Sequence, residues 1–262
     1  MINKFTIDDV VVKESLDAVN HYDKENPDNK FVVIGGIATQ LYTDKYSHDL
    51  LRPTTDLDLA TDKKTNFESY KNGIGGYLAH RLNKYGPHIA SLRHVLEVKL
   101  TDDKPKFLIH TYKFTENGYK RNQRSLERQT SNALKLQIPD STSKVYVARP
   151  EDLLDSKINR IKIIITKGKI PEEFKLLYEN IERNIWSGFS KDNMEEWLND
   201  LKQEKEELPS VYDHGFEEFT QALDHYRCSK DLYDVALLVS LALNGNISFD
   251  ESYYRDIVDK KE

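Results

Sequence analysis

The stretch Val33–Ala60, VIGGIATQLYTDKYSHDLLRPTTDLDLA, is the most informative part of this 262-residue chain. A short apolar run, Lys30–Ile34, predicts a buried strand that Gly35-Gly36 breaks, and a helical pattern over residues 37–46 follows it. After a loop, residues 56–60 alternate polar and apolar side chains, as a half-buried strand does. The order strand, Gly-Gly, helix, strand predicts a unit that mixes α and β structure.

Two carboxylates on the second of these strands point to a metal site. Asp56 and Asp58 are two residues apart, so on a strand they project from one face while Leu57 and Leu59 face the core. Neighbouring carboxylates repel each other, and a divalent cation relieves that repulsion. Hard oxygen ligands of this kind suit Mg²⁺ or Mn²⁺, and Mg²⁺ typically shares its coordination shell with substrate phosphates.

The glycine pair supplies the second half of the pattern. Gly35-Gly36 lets the backbone approach a ligand closely, and the N-terminus of the following helix offers free N–H groups to an anion. A phosphate cradle beside metal-binding carboxylates is the equipment for phosphoryl or nucleotidyl transfer. An Asp-x-Asp pair alone is usually an ordinary surface feature, so the order of the elements carries the prediction.

The rest of the chain divides at Arg149-Pro150. Before that point we predict a helix over 6–24 with Thr6 as N-cap, strands over 93–100, 106–114 and 144–148, and a helix over 121–134. After it, helical periodicity covers 150–166, 171–186, 190–207, 213–226, 229–244 and 249–260. We therefore predict an α+β protein: a mixed sheet with helices in a domain over 1–148, then a helical bundle domain over 149–262.

Composition narrows the classes of function. The net charge of −6 is unlike a generally basic nucleic-acid binder, yet residues 156–170 hold five basic and no acidic side chains, and residues 113–135 carry a net charge of +4. These segments are either solvated helix faces or the walls of a groove for a polyanion. A mean hydropathy of −0.68, a polar N-terminus and a single cysteine predict a cytoplasmic protein with no membrane helix and no disulfide.

The motifs together resemble a known superfamily. Gly35-Gly36-x-Ala38, followed by Arg52-x-Thr54-x-Asp56-Leu57-Asp58, is similar to the polymerase-β-like nucleotidyltransferases. Two later segments resemble the AbiEii-type branch, the toxins of type IV toxin–antitoxin pairs. They are Arg149-Pro150-Glu151-Asp152-Leu153-Leu154 with Lys157, and Ser229-Lys230-Asp231 with Asp234.

The resemblance implies a set of roles. It implies a nucleotidyltransferase fold, an NTP substrate, a tRNA acceptor and a cognate antitoxin as partner. It implies a metal on Asp56 and Asp58, which are also catalytic. The remaining residues that it implicates are, for catalysis, Lys157, Asp231 and Asp234, and, for nucleotide binding, Gly35, Gly36, Arg52, Thr54 and Lys230.

Periodicity supports a buried role for two of these residues. Lys157 falls inside the apolar stripe of its helix, and Asp234 lies on a buried helix face. A buried carboxylate needs a partner, and Lys157 is the candidate. A purely structural salt bridge accounts for this pair equally well.

The sequence departs from the superfamily at the third carboxylate. Members usually carry a further acid on a later strand, and here the matching positions are His110, or Glu97 on the preceding strand. Three interpretations stay open: a transferase acting on RNA, a transferase acting on a protein or small-molecule hydroxyl, and a non-catalytic nucleotide-binding relic.

Overall fold

The computed structural model describes residues 5–28, 30–44, 46, 48–61, 70–92, 95–101, 106–113, 123–167 and 216–259. Within these ranges no helix is long and apolar enough to cross a membrane. The chain forms two compact units, Ile2–Leu153 and Leu154–Glu262, each with its own internal packing. The predicted domain boundary at 148/149 stays a prediction.

The first unit contains a sheet and four α-helices among its described residues. In chain order they are α1 (Val10–Glu25), β1 (Phe31–Ile34), α2 (Gly35–Thr43), β2 (Asp56–Thr61), α3 (Gly76–Arg81), β3 (His88–Leu92), β4 (Val95–Lys99), β5 (Phe107–Lys113), α4 (Gln123–Ser131), β6 (Leu134–Gln137) and β7 (Lys144–Val147). A 3₁₀ turn, His48–Leu50, precedes β2, a π-helical turn, Lys71–Gly75, leads into α3, and a second 3₁₀ turn, Asn83–Tyr85, follows it.

The described strands form one seven-stranded sheet in the order β3-β4-β5-β2-β1-β7-β6. β2 runs parallel to β5, and β1 runs parallel to β7, whereas every other neighbouring pair is antiparallel. The predicted α+β class, with a mixed sheet and helices, is therefore confirmed.

The two faces of the sheet differ in burial. One face carries the fully buried side chains Phe31, Leu57 and Ile109, and the Phe31 ring packs against Tyr22 of α1 and Tyr70. The opposite face carries Asp56, Asp58 and Ala60, and is called the carboxylate face below. Helix α4 covers part of the carboxylate face through a small apolar cluster: Leu126, Ala60, Ile34 and Tyr112.

The regular elements among the described residues of the second unit are all helices. It contains most of α5 (Pro150–Thr166), together with α6 (Phe216–Leu243) and α7 (Glu251–Asp259). The prediction of two helices over 213–226 and 229–244 is wrong, because no glycine or proline interrupts the single helix α6. The helices predicted over 171–186 and 190–207 lie outside the described residues.

Two local predictions near the N-terminus are also wrong. Helix α1 begins at Val10 instead of near Thr6, since Ile7 is fully buried and its N–H donates to Gln40 Oε1 at 2.6 Å. Asp9 closes the preceding turn by accepting a hydrogen bond of 2.6 Å from the Thr6 N–H. Strand β1 ends before Gly35 as predicted, but α2 begins at Gly35 instead of at residue 37, so both glycines lie in its first turn.

A buried carboxyl group holds the end of α1 to the start of the sheet. Asp23 Oδ1 accepts a hydrogen bond of 3.0 Å from the Phe31 N–H, the first residue of β1. Burial disfavours the charged form and raises the pKa of Asp23 to about 7. The folded protein therefore keeps a proton on Asp23 at pH values where the unfolded chain has lost it.

Because the folded protein binds this proton more tightly than the unfolded chain, the free energy of unfolding falls as the pH rises from about 4 to about 7. Above that range Asp23 causes no further loss of stability. Asp23→Asn keeps an oxygen acceptor for Phe31 and removes the titration. We expect the free energy of unfolding of Asp23→Asn to rise relative to wild type by about 2 kcal/mol between pH 5 and pH 7. Urea unfolding followed by circular dichroism measures the difference, with the exposed Asp256→Asn as control. Parallel pH profiles for wild type and Asp23→Asn would contradict the prediction.

Candidate functional site

The start of α2 fits only a glycine at its first residue. Gly35 follows β1 directly and has a φ of +71°, in the left-handed region that favours glycine. A Cβ atom at this position would overlap Asp58 Oδ2 on β2. The backbone of Gly35 therefore lies against the Asp58 carboxylate, and both the conformation and the space require the absence of a side chain.

The second glycine lies against two polar side chains. A Cβ on Gly36 would lie 3.0 Å from Thr54 Oγ1 and 3.1 Å from Arg52 Nη2. The first turn of α2, with its free N–H groups, is thus bordered by a carboxylate, a hydroxyl and a guanidinium group.

The backbone before β2 is fixed by hydrogen bonds from distant residues. Phe5 and Thr54 exchange two backbone hydrogen bonds, of 2.7 and 2.8 Å. Gln40 Nε2 donates to the Arg52 carbonyl at 2.7 Å, and Arg52 Nη1 donates to the Pro53 carbonyl at 2.9 Å. Arg52 and Thr54 are 3% and 1% exposed, so their positions are set by packing as well as by hydrogen bonds.

Asp56 and Asp58 share the carboxylate face of β2, as the alternation predicts. Leu57 and Leu59 are fully buried on the opposite face, and both carboxylates are half-buried. Thr54 Oγ1 donates to Asp56 Oδ1 at 3.2 Å, which holds that carboxylate beside the first turn of α2. Antiparallel register places Asp58 opposite Ile34, the last residue before Gly35.

The structure separates the two candidates for a third site residue. His110 is in register with Asp58 on the neighbouring parallel strand β5, so both side chains project from the carboxylate face. Glu97 lies one strand further out, in register with Leu108, and its Oε1 lies 2.8 Å from Lys106 Nζ. His110 is therefore the nearer of the two to the Asp pair, and its ring stacks with Tyr112 at a centroid distance of 6.3 Å.

The oxygen atoms of Asp56 and Asp58 suit a hard divalent cation such as Mg²⁺ or Mn²⁺. Neither His110 nor Glu97 joins them in a group of three ligand atoms within 4.8 Å. Two carboxylate ligands from the protein are enough for an ion that also binds substrate phosphates.

One further cluster of possible metal ligands has no counterpart among the motifs of the sequence. Among the described residues, Asp8, Asp44 and His48 place three ligand atoms within 4.8 Å of one another. The two nitrogens of His48 lie 3.0 Å from an Asp8 oxygen and 3.3 Å from an Asp44 oxygen. Each ring nitrogen of His48 thus faces one carboxylate oxygen.

The remaining predicted site residues lie in the second unit and form ion pairs there. Lys157 is 3% exposed and pairs with Asp234, and its Nζ lies 3.9 Å from Asp231 Oδ1. Arg160 pairs with both oxygens of Asp231. Lys230 Nζ lies 5.7 Å from the Tyr226 ring. The expected partnership of Lys157 and Asp234 is present, and their catalytic role stays a prediction.

The two basic segments are partly neutralised. Arg128 Nε donates to Asp152 Oδ1 at 2.5 Å, and Arg160 is engaged with Asp231 as described above. Asp152 is fully buried, so Arg128 serves in part to compensate its charge. Arg124 and Lys162 are exposed on α4 and α5.

No protein-family model and no curated protein sequence matches this chain. Among solved structures, it resembles an antigenic nucleotidyltransferase-like protein from Paracoccidioides brasiliensis, with 17% identity and a TM-score of 0.39 over 61% of this chain and 69% of that one. It also resembles the antibiotic-resistance factor ANT(2″)-Ia, with 11% identity and a TM-score of 0.29 over 58% and 72% of the two chains. At these TM-scores neither likeness establishes a family or an activity.

Replacing Gly35 tests the contact at the start of α2. Gly35→Ala forces a side chain into a left-handed conformation and against Asp58, so we expect a loss of about 2–4 kcal/mol in the free energy of unfolding. Gly76→Ala is the matched control, because Gly76 is helical and a methyl group there would have no neighbouring atom within 4 Å. Gly76→Ala should stabilise the protein by about 0.5–1 kcal/mol. Urea unfolding measures the stability of both variants. Equal stabilities of Gly35→Ala and Gly76→Ala would contradict the close contact between Gly35 and Asp58.

Replacing Lys157 tests the buried ion pair in the second unit. Lys157→Met leaves the carboxylate of Asp234 buried without its cation, so we expect a destabilisation of about 3–5 kcal/mol in thermal or urea unfolding. The control is Lys162→Met, an exposed lysine on the same helix. Adding Asp234→Leu to Lys157→Met should recover part of the loss, because the unpaired charge is then removed. If Lys157→Met is no less stable than Lys162→Met, the ion pair does not stabilise the fold.

Proposed function

We propose that this protein is a divalent-metal-dependent nucleotidyltransferase that transfers NMP from an NTP to an acceptor hydroxyl. The observation that carries the proposal is the first turn of α2, where Gly35 lies against Asp58 and Gly36 lies against Thr54 and Arg52. Free backbone N–H groups and a guanidinium group attract phosphates, and the neighbouring carboxylates attract a cation. A bound phosphate–metal complex supplies an anion to the N–H groups and the guanidinium group, and a cation to the carboxylates.

Asp56 and Asp58 would hold the ion, as Mg²⁺ or Mn²⁺. When bound, such an ion neutralises phosphate charge and polarises the phosphorus that is attacked. Arg52 and the first-turn N–H groups of Gly35 and Gly36 would bind and orient the triphosphate. Thr54 positions the Asp56 carboxylate through their hydrogen bond of 3.2 Å.

In the proposed reaction the acceptor oxygen forms a bond to the α-phosphorus, and the bond from that phosphorus to the pyrophosphate oxygen breaks. Pyrophosphate leaves with the electron pair of that bond, and the acceptor hydroxyl gives up its proton. His110, in register with Asp58, is the residue of this chain that we assign to receive the proton. A neutral imidazole serves as a base and binds Mg²⁺ poorly, so His110 complements the carboxylates and does not replace one.

The finer form of the proposal concerns the acceptor and the biological role. The resemblance of the segments at 149–157 and 229–234 to AbiEii-type toxins supports RNA, and specifically tRNA, as acceptor and a cognate antitoxin as partner. The same resemblance supports roles in nucleotide binding or catalysis for Lys157, Lys230, Asp231 and Asp234. The ion pairs that involve Lys157, Asp231 and Asp234 also have a structural use, which the stability test above measures separately.

Non-catalytic nucleotide binding is the competing function, and the observation that favours it is His110. A histidine stands beside Asp58 at the position where the superfamily usually has a third acid. A protein of this kind would bind NTP without turnover. A transferase that acts on a protein or small-molecule hydroxyl is the other alternative, and it differs only in the acceptor.

Label transfer separates these functions. Each of the four α-³²P NTPs is incubated with the full chain, Mg²⁺ or Mn²⁺, and total RNA, and label is followed on RNA and on protein. We expect label on small RNA, and a loss of at least about a hundredfold in Asp56→Asn/Asp58→Asn because the ion is no longer held. Circular dichroism must show that this variant remains folded.

His110→Ala should lower transfer by about a hundredfold, with recovery at higher pH, if the imidazole acts as base. Glu97→Gln is the matched control, because Glu97 lies on the same face and pairs with Lys106. Label on protein instead of RNA identifies a protein acceptor. NTP binding with no label on any acceptor means that the protein is not a transferase.

A further inference from the structure

A row of three side chains crosses the β1, β7 and β6 end of the carboxylate face. Tyr146 of β7 is in register with Lys135 of β6, and Lys30 immediately precedes the neighbouring strand β1. Lys30 Nζ lies 4.0 Å and Lys135 Nζ lies 4.8 Å from the centroid of the Tyr146 ring. Two ammonium groups, from the elements on either side of β7, therefore converge on a single half-buried ring. We call this set the lysine–tyrosine row.

No carboxylate of the described residues neutralises this row within ion-pair distance. Neither Lys30 nor Lys135 has a described carboxylate oxygen within 4.0 Å. Asp23 is close enough for both lysines to lower its pKa, but its Oδ1 accepts from the Phe31 N–H, and burial raises that pKa to about 7. Lys30 Nζ donates instead to the Thr130 carbonyl at 3.3 Å, in the last turn of α4.

The balance of charge in the row favours an anion. Each cation–π contact is a weak attraction at a partly exposed site, whereas two ammonium groups around one ring repel each other. A phosphate group between the two lysines removes the repulsion and gives both an acceptor. Once phosphates draw the two ammonium groups away from the Tyr146 ring, the face that they cover becomes available for a base to stack on.

The row lies on the same face of the sheet as the carboxylates. β1 pairs Ile34 with Asp58 and, two residues earlier along the same face, pairs Val32 with Tyr146 on its other side. The backbones of Asp58 and Tyr146 are two strand spacings and two residues apart, a distance of about 12 Å. Helix α4 packs on Ile34 and Ala60 between these two places, so a ligand that reaches both extends around the helix, as a polymer can and a single phosphate group cannot.

We propose that the lysine–tyrosine row is a binding site for single-stranded polynucleotide, with phosphates held by Lys30 and Lys135 and a base stacked on Tyr146. The choice of a polynucleotide rests on the proposed function, since the row gives the acceptor of the transfer reaction a binding surface on the same sheet face as the carboxylates. The row itself, two cations on one ring, does not depend on that function.

The experiment measures binding of a fluorescein-labelled 12-nucleotide single-stranded RNA by fluorescence anisotropy, in EDTA and without NTP. We expect Lys30→Gln/Lys135→Gln to bind the RNA at least about tenfold more weakly than wild type. Two lost phosphate contacts should also reduce the slope of log K against log salt by about 1.4. Tyr146→Leu should weaken binding, and Tyr146→Phe should preserve it, because stacking needs the ring and not the hydroxyl.

Lys84→Gln is the matched control for Lys135→Gln. Lys84 Nζ also lies 4.8 Å from a tyrosine ring, that of Tyr85, so the two changes remove the same charge and the same type of contact. We expect wild-type RNA affinity for Lys84→Gln. The proposal is overturned if Lys84→Gln and Lys135→Gln weaken binding equally, or if the double variant keeps the affinity and salt slope of wild type.

Two further arms separate this inference from the proposed function. Asp56→Asn/Asp58→Asn should bind the RNA normally while losing transfer, since the lysines are untouched. ATP in place of the RNA tests the ligand: lysine-dependent binding of ATP with no binding of RNA overturns the polymer as ligand. Lysine-dependent RNA binding in a protein that transfers no nucleotide defeats the proposed function and supports this inference.

Discussion

The close contact between the Gly35 backbone and the Asp58 carboxylate determines how β1, α2 and β2 meet. Helix α2 follows β1 with no linker, so its first turn is held at the end of the strand that pairs with β2. Any side chain at position 35 would push the carboxylate away or force the helix to begin elsewhere. The free N–H groups of a helix and a pair of carboxylates are thereby fixed beside one another.

The surroundings of this contact are rigid because several distant residues converge on it. Gln40 of α2 accepts from the Ile7 N–H and donates to the Arg52 carbonyl, while Phe5 bonds to Thr54. The Gln40 amide thus ties helix α2 to Ile7, which precedes α1, and to the loop before β2. Such fixed ligands would favour the proposed binding of a metal and a triphosphate, because little order would remain to be imposed on binding.

The chain uses carboxylates in two physically different ways. Asp56 and Asp58 are half-buried on a sheet face. Asp231 and Asp234 are 0% and 1% exposed within α6, and each is paired with a cation from α5. Buried acids of the second kind are required to be paired, so their contacts account for their presence without any ligand.

Sequence alone determined the part of the fold that follows from periodicity and from residue chemistry. The alternation of Asp56 to Leu59 predicted a strand with two carboxylates on one face, and the burial of Leu57 and Leu59 confirms that orientation. The position of Lys157 in an apolar stripe predicted a buried lysine, and the structure places it at 3% exposure with Asp234. Both inferences depend only on spacing along one element.

Tertiary structure decided everything that depends on neighbours far apart in the sequence. Strand register placed His110 beside Asp58 and Glu97 beside Lys106, a choice that spacing along the chain does not make. Packing placed Gly35-Gly36, which end β1 as expected, in the first turn of α2, and strand order brought Lys30 and Lys135 to one tyrosine ring. The physical reason is that local patterns fix which face a side chain takes, whereas only the pairing of strands fixes which other side chain it meets there.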